Sequence, residues 1–148
     1  MSSTIVHAAR ALTPLQEIAD AAIVFEDGRI TAVETRAGIV APAGAREISA
    51  RDATIVPGFV DIHLHGAGGH DVMSSTEEAL TTIASTVARH GTTSLVATTV
   101  TAPPDETRRS LEGISRCILS PANRTADATA EIIGIHLEGP FILSLIHI

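Results

Sequence analysis

The chain has 148 residues, 45% of them apolar, a composition that belongs to globular proteins and excludes a disordered one. Three Phe and no Trp or Tyr leave no aromatic platform for stacking bases, and a net charge of −7 opposes binding to a phosphate backbone, so nucleic acid is not an expected partner. The single cysteine, Cys117, cannot close an intramolecular disulfide, which favours a reducing compartment.

Residues 1–12 have neither a basic start nor a long apolar stretch, so they do not read as a signal peptide. No apolar run approaches the ~18 residues that span a bilayer. A cytoplasmic protein without a membrane partner is expected. The first fifty or so residues read as short strands. Ala22–Glu26 and Arg29–Val33 flank Asp27-Gly28, a two-residue hairpin signal because both positions tolerate positive φ. Gly38, Pro42 and Gly44 mark a loop, and a further short strand is expected over Arg46–Ser49. Residues 1–56 are therefore assigned to a small β module.

The pattern changes at Pro57-Gly58. Phe59–Leu64 reads as a strand, and the glycine-rich loop Gly66–Gly69 follows it. A helix is expected next, with Ser75 as N-cap and Glu78 completing a capping box. Leu80, Ile83, Ala84 and Val87 form its core-facing stripe, and Gly91 stands at its C-terminal end. Thr92–Val100 is a β-branched strand. Pro103-Pro104-Asp105 opens a second helix with Leu111, Ile114 and Ile118 on one face, and Cys117 packs on the same element. Residues 121–127 read as a polar loop and Glu131–Leu137 as a third strand. The order β-α-β-α-β implies parallel strands joined by right-handed crossovers. Three strands fall short of the ~250 residues of an eight-stranded α/β barrel. The fold class is thus α/β, either a truncated barrel or a small open α/β domain.

His63 and His65 stand two apart on the first of these strands, so they face the same side together with Asp61. Val60, Ile62 and Leu64 face the other side, where the helices are expected. Two imidazoles at this spacing can hold one divalent metal at the strand end where α/β barrels carry their sites. Glu138 follows the apolar third strand and could ligate or bridge metal there. His136 faces the same way but is expected to be an interior histidine hydrogen-bonded to its neighbours. The Gly66–Gly69 loop lacks the Lys-Ser/Thr ending of a phosphate loop and reads as a tight turn passing near the metal site. His70 and Asp71 read as loop residues, His90 as a helix-terminal residue, and His7 carries no signal.

The segment Pro57-Gly58-Phe59-Val60-Asp61-Ile62-His63-Leu64-His65-Gly66 resembles the first-strand signature of the amidohydrolase superfamily. Gly134-Ile135-His136-Leu137-Glu138-Gly139-Pro140-Phe141 is similar, more specifically, to the N-acetylglucosamine-6-phosphate deacetylase family, as is Gly91-Thr92-Thr93 with its Thr-rich strand. The resemblance covers roughly residues 1–142. It implies a metal-dependent (β/α)8 TIM barrel, here its first three strands within 57–142, and a small β-sandwich to which 1–56 contributes. It implies that His63, His65 and Glu138 bind a divalent metal, zinc or iron, as one or two ions. The implied reaction removes the acetyl group of a small amino-sugar phosphate, N-acetylglucosamine 6-phosphate, and full-length family members are expected to be homodimers.

In that family two further histidine ligands and a catalytic aspartate come from later strands, and these residues have no counterpart here. The sequence after Phe141 also departs from the family, and residues 143–148 read as a non-family tail in which His147 matches no family histidine. An N-terminal fragment, inactive by itself, is the expectation. Two alternatives stay open: a cyclic amidohydrolase of dihydroorotase or hydantoinase type, and a non-catalytic metal-binding fragment.

Overall fold

A computed structural model describes residues 3–125 and 128–142. The 143–148 tail, His147 included, and the last two residues of the expected 121–127 loop lie outside the described residues. The chain divides into two compact units, one up to Pro57 and one from Gly58. No helix of the described residues is long and apolar enough to cross a membrane.

The first unit is built on strands β1 (Ser3–Leu12), β2 (Glu17–Glu26), β3 (Arg29–Thr35) and β4 (Arg46–Ile55), in the sheet order β3-β2-β1-β4. β1 pairs antiparallel with β2 and parallel with β4. The β2–β3 hairpin turns at Asp27-Gly28, with φ of 48° and 78°, the positive values expected from the sequence. Along β2, Ala21 and Ile23 enter one apolar cluster while Ala22 and Val24 enter another, so both faces of the sheet carry apolar packing. β1 was not delimited by the sequence, and β4 runs six residues past the expected Ser49. Both are strands because they pair with each other along their length.

The second unit begins with β5 (Phe59–Leu64), followed by the small hairpin of β6 (Gly66–Ala67) and β7 (His70–Asp71). His70 and Asp71, expected in a loop, thus lie on a short strand. Gly68 and Gly69 turn the hairpin with φ of 63° and 82°. A side chain at Gly66 would collide with the His70 carbonyl, so the two short strands can approach only without a Cβ there. The Asp71 carboxylate then accepts from Met73 N at 2.7 Å and caps a 3-10 turn over Val72–Ser74.

Helix α1 (Glu77–Ala88) is capped by Thr76, whose hydroxyl accepts from Ala79 N at 3.2 Å. The expected cap at Ser75 is off by one residue. Ser75 adopts left-handed φ of 48° to end the preceding turn and cannot also take the extended backbone an N-cap needs. Leu80, Ile83 and Ala84 are buried as the stripe requires, and Val87 packs partly buried against them. β8 (Thr92–Thr98) and helix α2 (Pro104–Leu119) follow, then a single turn α3 (Ala122–Thr125) and β9 (Glu131–His136). The helical turn replaces part of the expected loop because Asn123 bridges to β9. Its amide donates to Ile132 O and its Oδ1 accepts from Ile132 N, both at 2.9 Å.

The strands β5, β8 and β9 form a three-stranded sheet in that order, parallel throughout. This is the β/α unit from which a (β/α)8 barrel is made. Its core joins Leu95 and Ala97 of β8 to Leu80 and Ile83 of α1, Ile114 of α2 and Ile132 of β9. Leu64 packs against this core, but Val60 and Ile62 stay 56% and 69% exposed, contrary to the expectation that helices cover them. Among the described residues β5 has a neighbouring strand on one side only, and α1 lies against β8 and the β6–β7 hairpin. Cys117 is half-buried against the core, and burial, then the nearby Glu77 carboxylate, push its thiol pKa up, which suits the expected packing role.

α2 comes close to the turn ahead of α1 because position 113 is glycine. A methyl there would strike Ser75 O, and one helical turn earlier Ser110 Oγ donates to Met73 O at 2.8 Å. In an open helix interior Gly113→Ala would stabilise by about 1 kcal/mol. Here the clash is expected to reverse the sign and destabilise by about 1–3 kcal/mol. Urea unfolding of parent and variant measures it, and a more stable variant would contradict the close approach.

Candidate metal centre

The parallel order of the sheet brings the ends of β5 and β9 to the two sides of β8. His63 lies on β5 and His65 one residue beyond its end, while Glu138 stands two residues past β9. Their side chains converge. His63 Nε2 lies 3.0 Å from His65 Nε2, and Glu138 Oε2 lies 3.2 Å from the first and 3.3 Å from the second. These three atoms make a nearly equilateral triangle of two imidazole nitrogens and one carboxylate oxygen. Among the described residues, these three side chains form the group that could hold a metal ion.

The donor set fits such an ion in kind and in spacing. Imidazole and carboxylate suit zinc and iron alike. At a Zn–N distance of about 2.0–2.1 Å, two ligand atoms at a tetrahedral angle stand about 3.3–3.4 Å apart, close to the triangle's edges. His65 is already oriented for this role. Its Nδ1 lies 3.3 Å from the Thr98 carbonyl, which accepts Nδ1–H and leaves Nε2 as the ring nitrogen that faces the triangle. The side chains are between a quarter and a half exposed, which leaves an approach from solvent.

The surrounding residues divide between support and bystander. Asp61, expected on the same face, turns its carboxylate back to accept from His63 N at 3.1 Å and so stiffens the strand under that histidine. His136 is not the interior hydrogen-bonded residue the sequence suggested. It is exposed and stands edge-to-face with His63, their ring centroids 5.0 Å apart, because the end of β9 opens toward the same side as the triangle. Gly139 follows Glu138 with φ of 86°, and a Cβ there would come within 2.6 Å of Thr101 Oγ1. Only glycine lets the backbone leave Glu138 along this path. His70 and His90 take no part in the triangle.

Sequence reasoning missed Thr98 and Thr99 at the end of β8, both fully buried. Thr98 Oγ1 accepts from Leu64 N at 3.0 Å, and Thr99 Oγ1 accepts from Glu138 N at 3.2 Å. Their only signal was a run of threonines, which equally well describes an ordinary strand.

Comparison with known proteins identifies the family. Residues 54–144 match the Amidohydrolase family. The chain is similar to the N-acetylglucosamine-6-phosphate deacetylase of Vibrio furnissii, 36% identical over 118 residues that cover 80% of this chain and 28% of the relative. It is also similar to the N-acetylgalactosamine-6-phosphate deacetylase of Escherichia coli O157:H7, 33% identical over 93% of this chain and 33% of the relative. Among solved structures, the N-acetyl-D-glucosamine-6-phosphate deacetylase of Mycobacterium smegmatis in complex with N-acetyl-D-glucosamine-6-phosphate superposes with a TM-score of 0.76 at 34% identity, covering 97% of this chain and 34% of that one. The chain therefore spans about a third of the length of these relatives.

Proposed function

Since the chain belongs to the amidohydrolase family, we propose that its triangle is the metal-holding part of a hydrolase that removes the acetyl group of N-acetylglucosamine 6-phosphate, releasing glucosamine 6-phosphate and acetate. The observation that carries the reading is the convergence of His63 Nε2, His65 Nε2 and Glu138 Oε2 within 3.0–3.3 Å at the ends of two parallel strands. The deacetylases similar to this chain support the substrate class, an N-acetylated amino-sugar 6-phosphate. A divalent ion, zinc or iron, would lower the pKa of a bound water and polarise the amide carbonyl.

The chain's own residues have defined parts in this scheme. His63 and His65 would hold the ion through their Nε2 atoms, with the His65 ring oriented by Thr98 O. Glu138 brings the negative charge that offsets part of the cation's. Amide hydrolysis also needs a group that takes the water's proton and delivers it to the leaving amine, a contribution of about 10²–10⁴-fold. Among the described residues no aspartate joins the converging group of His63, His65 and Glu138, and Asp61 and Asp71 each turn one carboxylate oxygen to a backbone N–H.

Two measurements test the proposal together. The 148-residue chain, loaded with zinc, is expected to release no acetate from N-acetylglucosamine 6-phosphate above the protein-free control. A chimera in which residues 54–142 replace the matching segment of the Vibrio furnissii relative is expected to release acetate, and to stop doing so when His63 is changed to Ala. A chimera that is monodisperse and zinc-loaded yet inert would overturn the reading.

A further inference from the structure

The reading of the triangle as a metal site leaves open what holds its two sides at a fixed distance, since β5 and β9 are not neighbours in the sheet. We propose that Thr98 and Thr99 are positioning residues that clamp the ligand-bearing ends of β5 and β9 to β8 and so set the separation of the histidines from Glu138. The inference rests on the proposed role of His63, His65 and Glu138.

The hydrogen bonds fall in a consistent direction. The β5–β8 ladder is interrupted between Asp61 and Leu64, and Thr98 Oγ1 receives the Leu64 N–H there, between the two histidines in sequence. The same hydroxyl donates its proton to Val96 O at 3.2 Å. Thr98 O receives His65 Nδ1–H, so one residue fixes both the backbone and the ring of the β5 side.

Thr99 does the matching work on the other side. The β8–β9 register ends at Thr98↔His136, and beyond it Thr99 N donates to His136 O at 3.0 Å. Its hydroxyl receives Glu138 N–H and points its own proton toward His136 O at 3.5 Å. Adjacent residues of an extended chain face opposite sides, yet each hydroxyl here reaches a different flanking strand, one beside a break in the β5–β8 ladder and one past the end of the β8–β9 ladder. Threonine meets the requirement because its β-branch stiffens χ1 while its hydroxyl both accepts and donates. Both side chains are 0% exposed, so water cannot substitute for the hydroxyls.

The test uses cobalt(II) as the probe metal on the 148-residue chain. Thr98→Val and Thr99→Val keep shape and remove the hydroxyl, whereas Thr98→Ser and Thr99→Ser keep the hydroxyl. Each valine variant is expected to bind cobalt about 10–100-fold more weakly, with altered visible absorption of the ion. In the metal-free chain, amide exchange at Leu64 in Thr98→Val and at Glu138 in Thr99→Val is expected to speed up by about tenfold or more. The serine variants should stay within about threefold of the parent in both readouts, which also guards against a valine variant that fails to fold.

Valine variants with parental affinity, spectrum and exchange overturn the proposal. So do folded serine variants that lose as much as the valines, because the hydroxyl is then not the cause. If the parent itself takes up no cobalt, the reading of the triangle fails separately, and the exchange rates alone decide whether the threonine pair clamps the two strand ends.

Discussion

Changing His63, His65 or Glu138 to alanine is expected to lower the affinity of the chain for zinc by at least about a hundredfold. The loss should exceed the roughly 10–100-fold that goes with disturbing an outer hydrogen bond of a metal ligand, because a donor atom itself is removed. The three losses should be similar in size, since the triangle's edges differ by only 0.3 Å and no pair stands apart as a complete site. His136→Ala is the control. That ring lies beside His63 but outside the triangle, so its removal should change affinity by no more than about threefold. Isothermal titration of the four variants, each checked for parental circular dichroism, makes the comparison. Unchanged affinity in Glu138→Ala would remove β9 from the site and leave a histidine pair without a carboxylate.

The histidine pair was legible in the sequence because it depends on one local fact, the two-residue period of a strand. Glu138 was legible for a different reason. The alternation of strands and helices after Pro57 forces β5, β8 and β9 to run the same way, so the residues just beyond β5 and β9 gather at one end. Other features depended on tertiary context that no window of sequence contains. Ser3–Leu12 includes Ala-Ala-Arg-Ala-Leu, residues favoured in helices, yet pairing with β2 and β4 on its two sides makes it an interior strand of its sheet.

Ser75 and Thr76 are both good caps, and only the left-handed turn at Ser75 decides between them. The threonines at the end of β8 look like strand formers, since β-branching raises strand propensity whether or not the hydroxyl has work to do. What distinguishes Thr98 and Thr99 is that they stand beside a break in the β5–β8 ladder and at the end of the β8–β9 ladder, and register features of that kind are not written in composition.

A large loss of stability is expected at Ile114, which links α2 to the core beneath β8. The side chain is fully buried, in one cluster with Leu80 and Ile83 of α1, Leu95 of β8 and Ile132 of β9. Ile114→Ala would leave a cavity where these elements meet, at a cost of about 2–5 kcal/mol, whereas Ile114→Val should cost about 0.5–1.5 kcal/mol. Guanidinium unfolding followed by circular dichroism measures both. Ile114 belongs to the core cluster and not to the triangle, so the folded fraction of either variant should bind zinc as tightly as the parent. That separation of stability from affinity is the result that matters. If Ile114→Ala weakened zinc binding in proportion to its destabilisation, the triangle would owe its geometry to the bulk of the core, and the local hydrogen bonds of Thr98 and Thr99 would be too weak to hold it.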